Sequence, residues 1–318
     1  MRMLKGKLLP VLAWFLMITS TTVVASSRRG VSYAPPKLKP LTGLLPHLTF
    51  SHGFKEFFGG SHIQIVDNGT SVNLILDKSS GAGFVSQNSY KYGFFSAAIK
   101  VPSGYTSGVV IAFYMSNAEM FPHAHDEIDI ELLGHQKRRE WILQTNIYGN
   151  GSVHTGREEK FRLWFDPTQQ FHQYSIIWNH NHTVFLVDNV PIREVIYRET
   201  TFSCYPLKPM SVYCTIWDGS EWATRGGKYP VNYNYAPFVT NLRDMEMAGC
   251  SWDSKTGEPV CANNGGGASS LDPVGGEDFV KLSEEQKLGM QELRKRFMIY
   301  SYCKDKNRYK VLPPECRA

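Results

Sequence analysis

The chain reads as an all-β protein, a sandwich of two antiparallel sheets. Three observations point there. From about residue 48, short runs of alternating apolar and polar residues follow one another. Gly, Pro, Asn or Asp punctuates most of the gaps, as Asp188-Asn189 does before Val190-Pro191. No helix is interleaved among these runs, so their apolar faces must cover one another sheet on sheet.

In order along the chain, residues 1–25 read as a signal peptide. Lys5 and Lys7 form a basic start, Leu8 to Ile18 an apolar run, and Val23-Val24-Ala25 a small-residue cleavage site. That run is too short for a transmembrane span. Residues 26–47 carry Pro and Lys with little periodicity and read as an extended lead-in. Strands are then expected over 72–76, 94–101, 109–114, 127–133, 141–148, 160–165, 173–178, 183–187 and 210–217. The Gly- and Ser-rich stretch 263–276 reads as a mobile loop. After it comes one helix. Ser283 with Gln286 makes a capping box, and Met290, Leu293 and Phe297 form a core-facing stripe. Gly289 weakens this helix by about 1 kcal/mol relative to Ala.

The chain has 318 residues, 42% hydrophobic, enough for a large core. Three of its formal +5 charges lie in the first 25 residues, and the remaining +2 is ordinary surface charge with no footprint for nucleic acid. Export permits disulfides among the six cysteines. Spacing alone leaves their connectivity open. No cysteine has metal-site spacing with a histidine, and no cofactor is implied. Asn68, Asn150 and Asn181 head N-glycosylation sequons.

The chemistry concentrates in Glu127-Ile128-Asp129-Ile130-Glu131-Leu132-Leu133. On a strand, Glu127, Asp129 and Glu131 share one face and the aliphatic residues the other. Three acids this close cannot all ionise freely, so at least one pKa must rise. The plain alternative is a solvated acidic face or a cation site. The chemical one is a glycosidase pair with a helper between. Four residues of strand span about 13 Å between Cα atoms. Two long Glu side chains on a concave sheet can approach the roughly 5–5.5 Å that a retaining mechanism needs. His123 and His125 flank the strand. His125 is expected to hydrogen-bond near Glu127, since no partner residues complete a metal site.

The run from His125 to Gly134 resembles the signature of plant xyloglucan endotransglucosylase/hydrolases in glycoside hydrolase family sixteen. The tail Tyr302-Cys303-Lys304-Asp305-Lys306-Asn307-Arg308-Tyr309 and Pro313-Pro314-Glu315-Cys316 resembles their carboxy-terminal extension, and the likeness covers roughly residues 48–318. It implies a concanavalin-like β-jelly roll over 48–240 with a cleft on one face, and an extension over 241–318 holding disulfides and the helix. By the same resemblance Glu127 is the nucleophile, Asp129 the helper and Glu131 the general acid/base. It joins Cys250 to Cys261 and Cys303 to Cys316. Cys204 and Cys214 lie outside that pattern and either pair or stay buried thiols.

Sugar clefts combine aromatic platforms with amide hydrogen bonds. The substrate-binding candidates are Gln144, Thr145, Asn146, Gly156, Arg157, Glu158, Glu159, Glu221, Trp222, Gly226 and Arg308. Trp222 is the expected stacking platform, whereas Trp217, ending an apolar strand, is assigned to the core. Arg157 and Arg308 either bind sugar or pair with a carboxylate, and family position favours sugar. Glu221 stands where relatives commonly have Asp. The loop 149–155 is expected to edge the cleft. The implied partners are a xyloglucan donor and a xyloglucan or oligosaccharide acceptor, handled by a secreted monomer of the cell wall and apoplast. Transfer to sugar and hydrolysis by water are both expected, with no ranking between them. The rival functions are a mixed-linkage β-glucan endohydrolase of the same family and a non-catalytic glucan-binding lectin.

Overall fold

The period-two runs of the sequence become one continuous antiparallel network. In the computed structural model, residues 33–43, 45–136, 140–149, 151–198, 204–261 and 273–317 are described. The signal-peptide stretch, Asn150 and residues 263–272 of the expected loop lie outside them. Residues 35–318 make one compact unit.

A short helix α1 (Phe50–Gly53) leads into β1 (Phe54–Phe58), β2 (Ile63–Val66), β3 (Ser71–Leu76) and β4 (Ala82–Lys100). There follow β5 (Val109–Ser116), β6 (Glu127–Leu133), β7 (Ile142–Tyr148), β8 (Glu159–Arg162), β9 (His172–Trp178), β10 (His182–Val187) and β11 (Val190–Ile196). The chain continues through β12 (Met210–Asp218), β13 (Phe238–Asp253) and β14 (Glu258–Val260) to α2 (Glu277–Val280), α3 (Glu284–Phe297) and β15 (Met298–Ser301).

The two expected layers are joined: the fifteen strands among the described residues belong to a single hydrogen-bonded antiparallel sheet. The reason is β4, which is 19 residues long and serves both layers. Its first half pairs with β1 and β12, its second half with β9 and β13. The change of layer falls at Tyr92 and Gly93, with φ of 69° and 156°. A Cβ on Gly93 would stand 2.4 Å from the Phe95 ring, so only glycine turns the strand there. One layer then runs β1-β4-β12-β5-β6-β7-β8-β15 and the other β11-β10-β9-β4-β13-β3-β2.

Between the layers lies the core. Ile128, Ile130 and Leu132 of β6 join Phe84, Ile111, Phe95, Ile176 and Trp178 there. Each such side chain contributes about 1.5–3 kcal/mol on leaving water. A one-residue slip of β6 would exchange its three aliphatics for three carboxylates, so the core fixes its register. The outer face of β4, β9 and β10 carries a second cluster, Phe94, Ile177, Val184 and Leu186, covered by Leu41, Val274 and Leu282. The lead-in is thereby anchored. The amides of Leu41 and Thr42 donate to Asn189 Oδ1 at 2.7 and 3.1 Å, and that of Gly43 to Glu246 at 2.6 Å.

Helix α3 has its capping box: Gln286 N donates to Ser283 Oγ at 3.2 Å, and Ser283 N donates to Gln286 Oε1 at 2.8 Å. Leu293 and Phe297 pack on the main core and Met290 on the second cluster. Gly289 has a reason. A Cβ there would lie 2.8 Å from Pro36 Cγ, so its helical cost lets the lead-in pass close by. Arg294 ties the helix to β8, donating to Glu159 Oε2 at 2.5 Å and Oε1 at 2.7 Å. Burial pushes the Glu159 pKa up, but Arg193 and Arg294 outweigh it and hold the carboxyl below its usual range.

Several boundaries differ from expectation. The domain boundary at residue 240 falls inside β13, which pairs with β3 and β4 and belongs to the sandwich. β8 ends at Arg162, and Leu163, Trp164 and Phe165 pack against the core beyond it. β1, β2, β14 and β15 are short edge pieces of three to five residues, too brief to show a period. Cys250–Cys261 and Cys303–Cys316 are disulfides as the resemblance implies, while Cys204 and Cys214 are buried thiols.

Arg294→Ala should lower the unfolding free energy by about 1–3 kcal/mol, because buried Glu159 loses two charged hydrogen bonds and keeps only Arg193 as its cation. Lys287→Ala, which removes an exposed pair with Glu284, should leave the urea midpoint within error. Equal effects in urea melts would refute the docking role of Arg294.

Candidate active site

The same alternation that buries Ile128 and Ile130 turns Glu127, Asp129 and Glu131 outward onto one face. There they line a cleft of about 610 Å³ with Tyr114, Gln144, Asn146, Tyr148, Glu158 and Trp217. The pairing explains the grouping. Asp129 stands opposite Tyr114 on β5 and Asn146 on β7, and Glu131 opposite Ala112 and Gln144. Paired residues on one face lie about 4.5–5.5 Å apart at Cβ, within hydrogen-bonding reach of amide arms.

Each carboxyl has its own environment. Gln144 Nε2 donates to Glu131 Oε2. Burial lifts Glu131 to about 7, with the charges of Glu127 and Glu158 adding to the rise and the Gln144 bond opposing it. Asp129 is driven well above the ordinary range by burial and by the charges of Glu127 and Glu131 on either side. That shift favours its protonated form, the form that donates to Glu127. Burial also raises Glu127, but bonds from Ser116 and Asp129 and the His125 charge favour its ionised form. His125 Nε2 stands 3.6 Å from Glu127 Oε2, a charge contact rather than the hydrogen bond expected of it. His123 is exposed. Among the described residues no cluster of ligating side chains suits a metal ion.

Trp217 is a correction. It lines the cleft instead of the core, with its ring centroid 5.8 Å from that of Trp222. Both walls of the groove are aromatic. On β12, Tyr213, Thr215 and Trp217 alternate outward while Val212, Cys214 and Ile216 go to the core. Tyr114 stacks on Tyr213 at 4.9 Å. Phe57 and Phe58 also line the cleft. Sequence reading missed Tyr114, Tyr148, Phe57 and Phe58. Period-two counting outward from the acidic strand would have found Tyr114 and Tyr148, opposite Asp129 and Glu127. Phe57 and Phe58 come from an edge strand distant in sequence and carried no signal.

The contiguous runs of binding candidates are divided by the pleat. Gln144 and Asn146 face the cleft. Thr145 lies between them, buried on the opposite face, where its Oγ1 and carbonyl accept from Arg193 Nη1 at 3.0 and 3.1 Å. Glu158 reaches the cleft and Glu159 does not, being buried against Arg193 and Arg294. Arg157 is 3% exposed, and Nε donates to Glu315 Oε1 at 2.5 Å. Thus it takes the carboxylate-pairing reading. Arg308 Nη2 donates to Glu158 Oε1 at 2.8 Å, folding the tail over the cleft edge. Gly156 makes room for that pair, since a Cβ would meet Arg308 at 2.3 Å. Glu221 is exposed and, like Gly226, stands outside the cleft lining. So do the described residues of loop 149–155, where Ser152 and Thr155 instead hold Arg157. Asn68 is exposed and Asn181 half-buried.

The triad must cost stability. Asp129 and Glu131 have folded values above their unfolded ones, so their contribution is full below the unfolded pKa and is lost as pH rises toward about 7 for Glu131. Calorimetry should therefore show Tm falling from about pH 5 to about pH 8, and Glu131→Gln should flatten that fall and raise Tm at the upper end. A variant with a steeper fall would refute the burial of this charge.

Against known proteins, the family model "Glycosyl hydrolases family 16" matches residues 50–235 and "Xyloglucan endo-transglycosylase (XET) C-terminus" matches 271–316. The "Probable xyloglucan endotransglucosylase/hydrolase protein 27" of Arabidopsis thaliana is 49% identical over 272 residues, 86% of this chain and 80% of the relative. The "Xyloglucan endotransglucosylase/hydrolase protein 3" of the same plant is 40% identical over 276 residues, 86% of this chain and 90% of the relative. Among solved structures, the Bacillus licheniformis β-glucanase superposes with a TM-score of 0.50 at 21% identity, covering 64% of this chain and 95% of its own. That likeness speaks for the jelly-roll fold alone. Strand-borne acids, an aromatic cleft and a matching disulfide-closed tail all agree with the sequence matches: the chain belongs to glycosyl hydrolase family 16 and, within it, to the xyloglucan endotransglucosylase/hydrolases.

Proposed function

We propose that this enzyme cleaves the β-1,4-glucan backbone of xyloglucan with retention and passes the fragment to another xyloglucan chain or to water. One observation supports the residue roles above the others. A carboxyl held near 7, Glu131, shares a cleft with Glu127, which accepts a proton bond from Asp129. Environments that split neighbouring acids in this way mark acid and nucleophile.

In the first step a Glu127 carboxylate oxygen bonds to the anomeric carbon as the glycosidic bond breaks, and the Glu131 proton moves to the leaving oxygen. Asp129 steadies Glu127 by its donated bond. In the second step the Glu131 carboxylate takes the proton of an incoming hydroxyl, whose oxygen displaces Glu127. Water is far more concentrated than sugar. Transfer therefore requires that aromatic and amide contacts hold the acceptor hydroxyl in line and raise its effective molarity. Trp217, Trp222, Tyr114, Gln144 and Asn146 are placed to offer such contacts. Glu158 and Arg308 form the edge beside Glu131, where a sugar hydroxyl can join their ion pair.

Secretion to the cell wall fits the pattern of residues 1–25 and the two disulfides, which require an oxidising compartment. No helix among the described residues is long and apolar enough to cross a membrane.

Incubation of xyloglucan with a labelled xyloglucan oligosaccharide tests the reading. Label entering polymer reports transfer, and shortening with new reducing ends reports hydrolysis. Cleavage of mixed-linkage glucan alone, or binding without any change in chain size, would replace this reading with one of its rivals. Glu127→Ala should abolish turnover with the fold intact, and wild-type rates in that variant would overturn its role. Glu131→Gln should lose about 10²–10⁴-fold in rate. In the wild type, cleavage should decline as pH climbs past about 7, where Glu131 loses its proton. An alkaline limb that survives in Glu131→Gln would assign it to another group.

A further inference from the structure

Arg157, too buried to reach a sugar, sits at the centre of a connection between the tail and the catalytic strand. Its backbone N–H donates to Asn146 Oδ1 at 2.8 Å. A backbone N–H can only donate, so the Asn146 amide is pinned with its oxygen toward Arg157. Its NH₂ is left to face Asp129, to which it donates. Asp129 in turn donates to Glu127. The direction of that last bond depends on the first.

The tail holds the segment that carries Arg157. Tyr309 Oη donates to the Gly156 carbonyl. Arg157 Nε donates to Glu315 at 2.5 Å, and its Nη1 to Ser152 Oγ and the Thr155 carbonyl at 2.9 and 3.0 Å. Tyr302 N donates to the Glu158 carbonyl at 3.1 Å. Glu315 also accepts from Tyr302 Oη at 3.3 Å, and it precedes Cys316, which is bonded to Cys303. A disulfide-closed loop thus grips residues 156–158 from one side while Asn146 reads their position from the other.

We propose that Glu315 and Arg157 are positioning residues for the reaction: the closed tail sets the Asn146 amide, and through it the bond that Asp129 makes to Glu127. Arg157 on this account binds no sugar. The tail acts on the acids themselves, in addition to any contact its Arg308 makes at the cleft edge. The proposal rests on the Glu127–Asp129 assignment, which Glu127→Ala tests by itself.

Glu315→Ala unties Arg157. Loosening the Asp129 bond to Glu127 leaves that carboxylate less favoured, so the acidic limb of the kcat profile should move to higher pH. kcat at the optimum should fall about ten-fold while KM for xyloglucan stays within about two-fold. Glu315→Gln keeps an acceptor for Arg157 and should restore the limb. Activities are compared per folded molecule, by near-UV circular dichroism and Tm. If the Ala variant does not fold, Tyr309→Phe, which removes one surface-side tie, should move the limb in the same direction by less. A limb that stays at its wild-type pH in the folded variant, whether kcat falls or KM rises, overturns the positioning role and leaves the pair as scaffold or sugar contact. If Glu127→Ala is inactive and the limb does not move, only this inference falls.

Discussion

One constraint governs the molecule: β6 must bury one face and expose the other. Ile128, Ile130 and Leu132 are each at most 1% exposed, within the main core. Their burial is worth several kcal/mol in sum. That free energy holds Glu127, Asp129 and Glu131 side by side against their mutual repulsion. Without the aliphatic anchor, the acids would relax by slipping the register or twisting toward water. The flanking strands follow from the same pleat. Residues opposite the acids on β5 and β7 share their face, so Tyr114, Gln144, Asn146 and Tyr148 arrive in the cleft by pairing.

The electrostatic outcome is that three chemically similar groups sit in three different environments. Burial raises all of them, and local bonds then separate them. Asp129, buried between two negative neighbours, is pushed toward its protonated form. Glu131 is held near neutrality by burial, with Gln144 moderating the rise. Glu127 is drawn back toward ionisation by Ser116, His125 and the proton of Asp129. This arrangement opposes folding at the pH where it is useful, as catalytic sites commonly do. The compensation is spread over a large two-layer core and the buried Glu159–Arg193–Arg294 cluster.

The tail extends the layer that carries the three acids and is not an appendage. β15 pairs with β8, α3 is docked through Arg294 onto Glu159, and the loop closed by Cys303–Cys316 holds Gly156, Arg157 and Glu158. A segment far along the chain therefore extends the sheet that begins with the acids. β4 plays the matching part at the other side, carrying hydrogen bonds from one layer into the next through Tyr92 and Gly93.

Local pattern was enough for the all-β class, the acidic strand to the residue, the capped helix and the shared face of Gln144 and Asn146. In each case a short-range period decides which face a side chain takes. Both disulfides were legible only through family likeness. Tertiary structure alone decided the rest. Whether Trp217 faced the cleft or the core depended on which face of β12 met the core. Whether Arg157 met sugar or carboxylate depended on Glu315, 158 positions away. Gly289, a weakness within its own helix, is required by Pro36 packed against it. Alternation is a property of neighbouring residues and can be read in the chain. The partner that a long charged or aromatic side chain finds is set by where distant segments pack, and no local period encodes that.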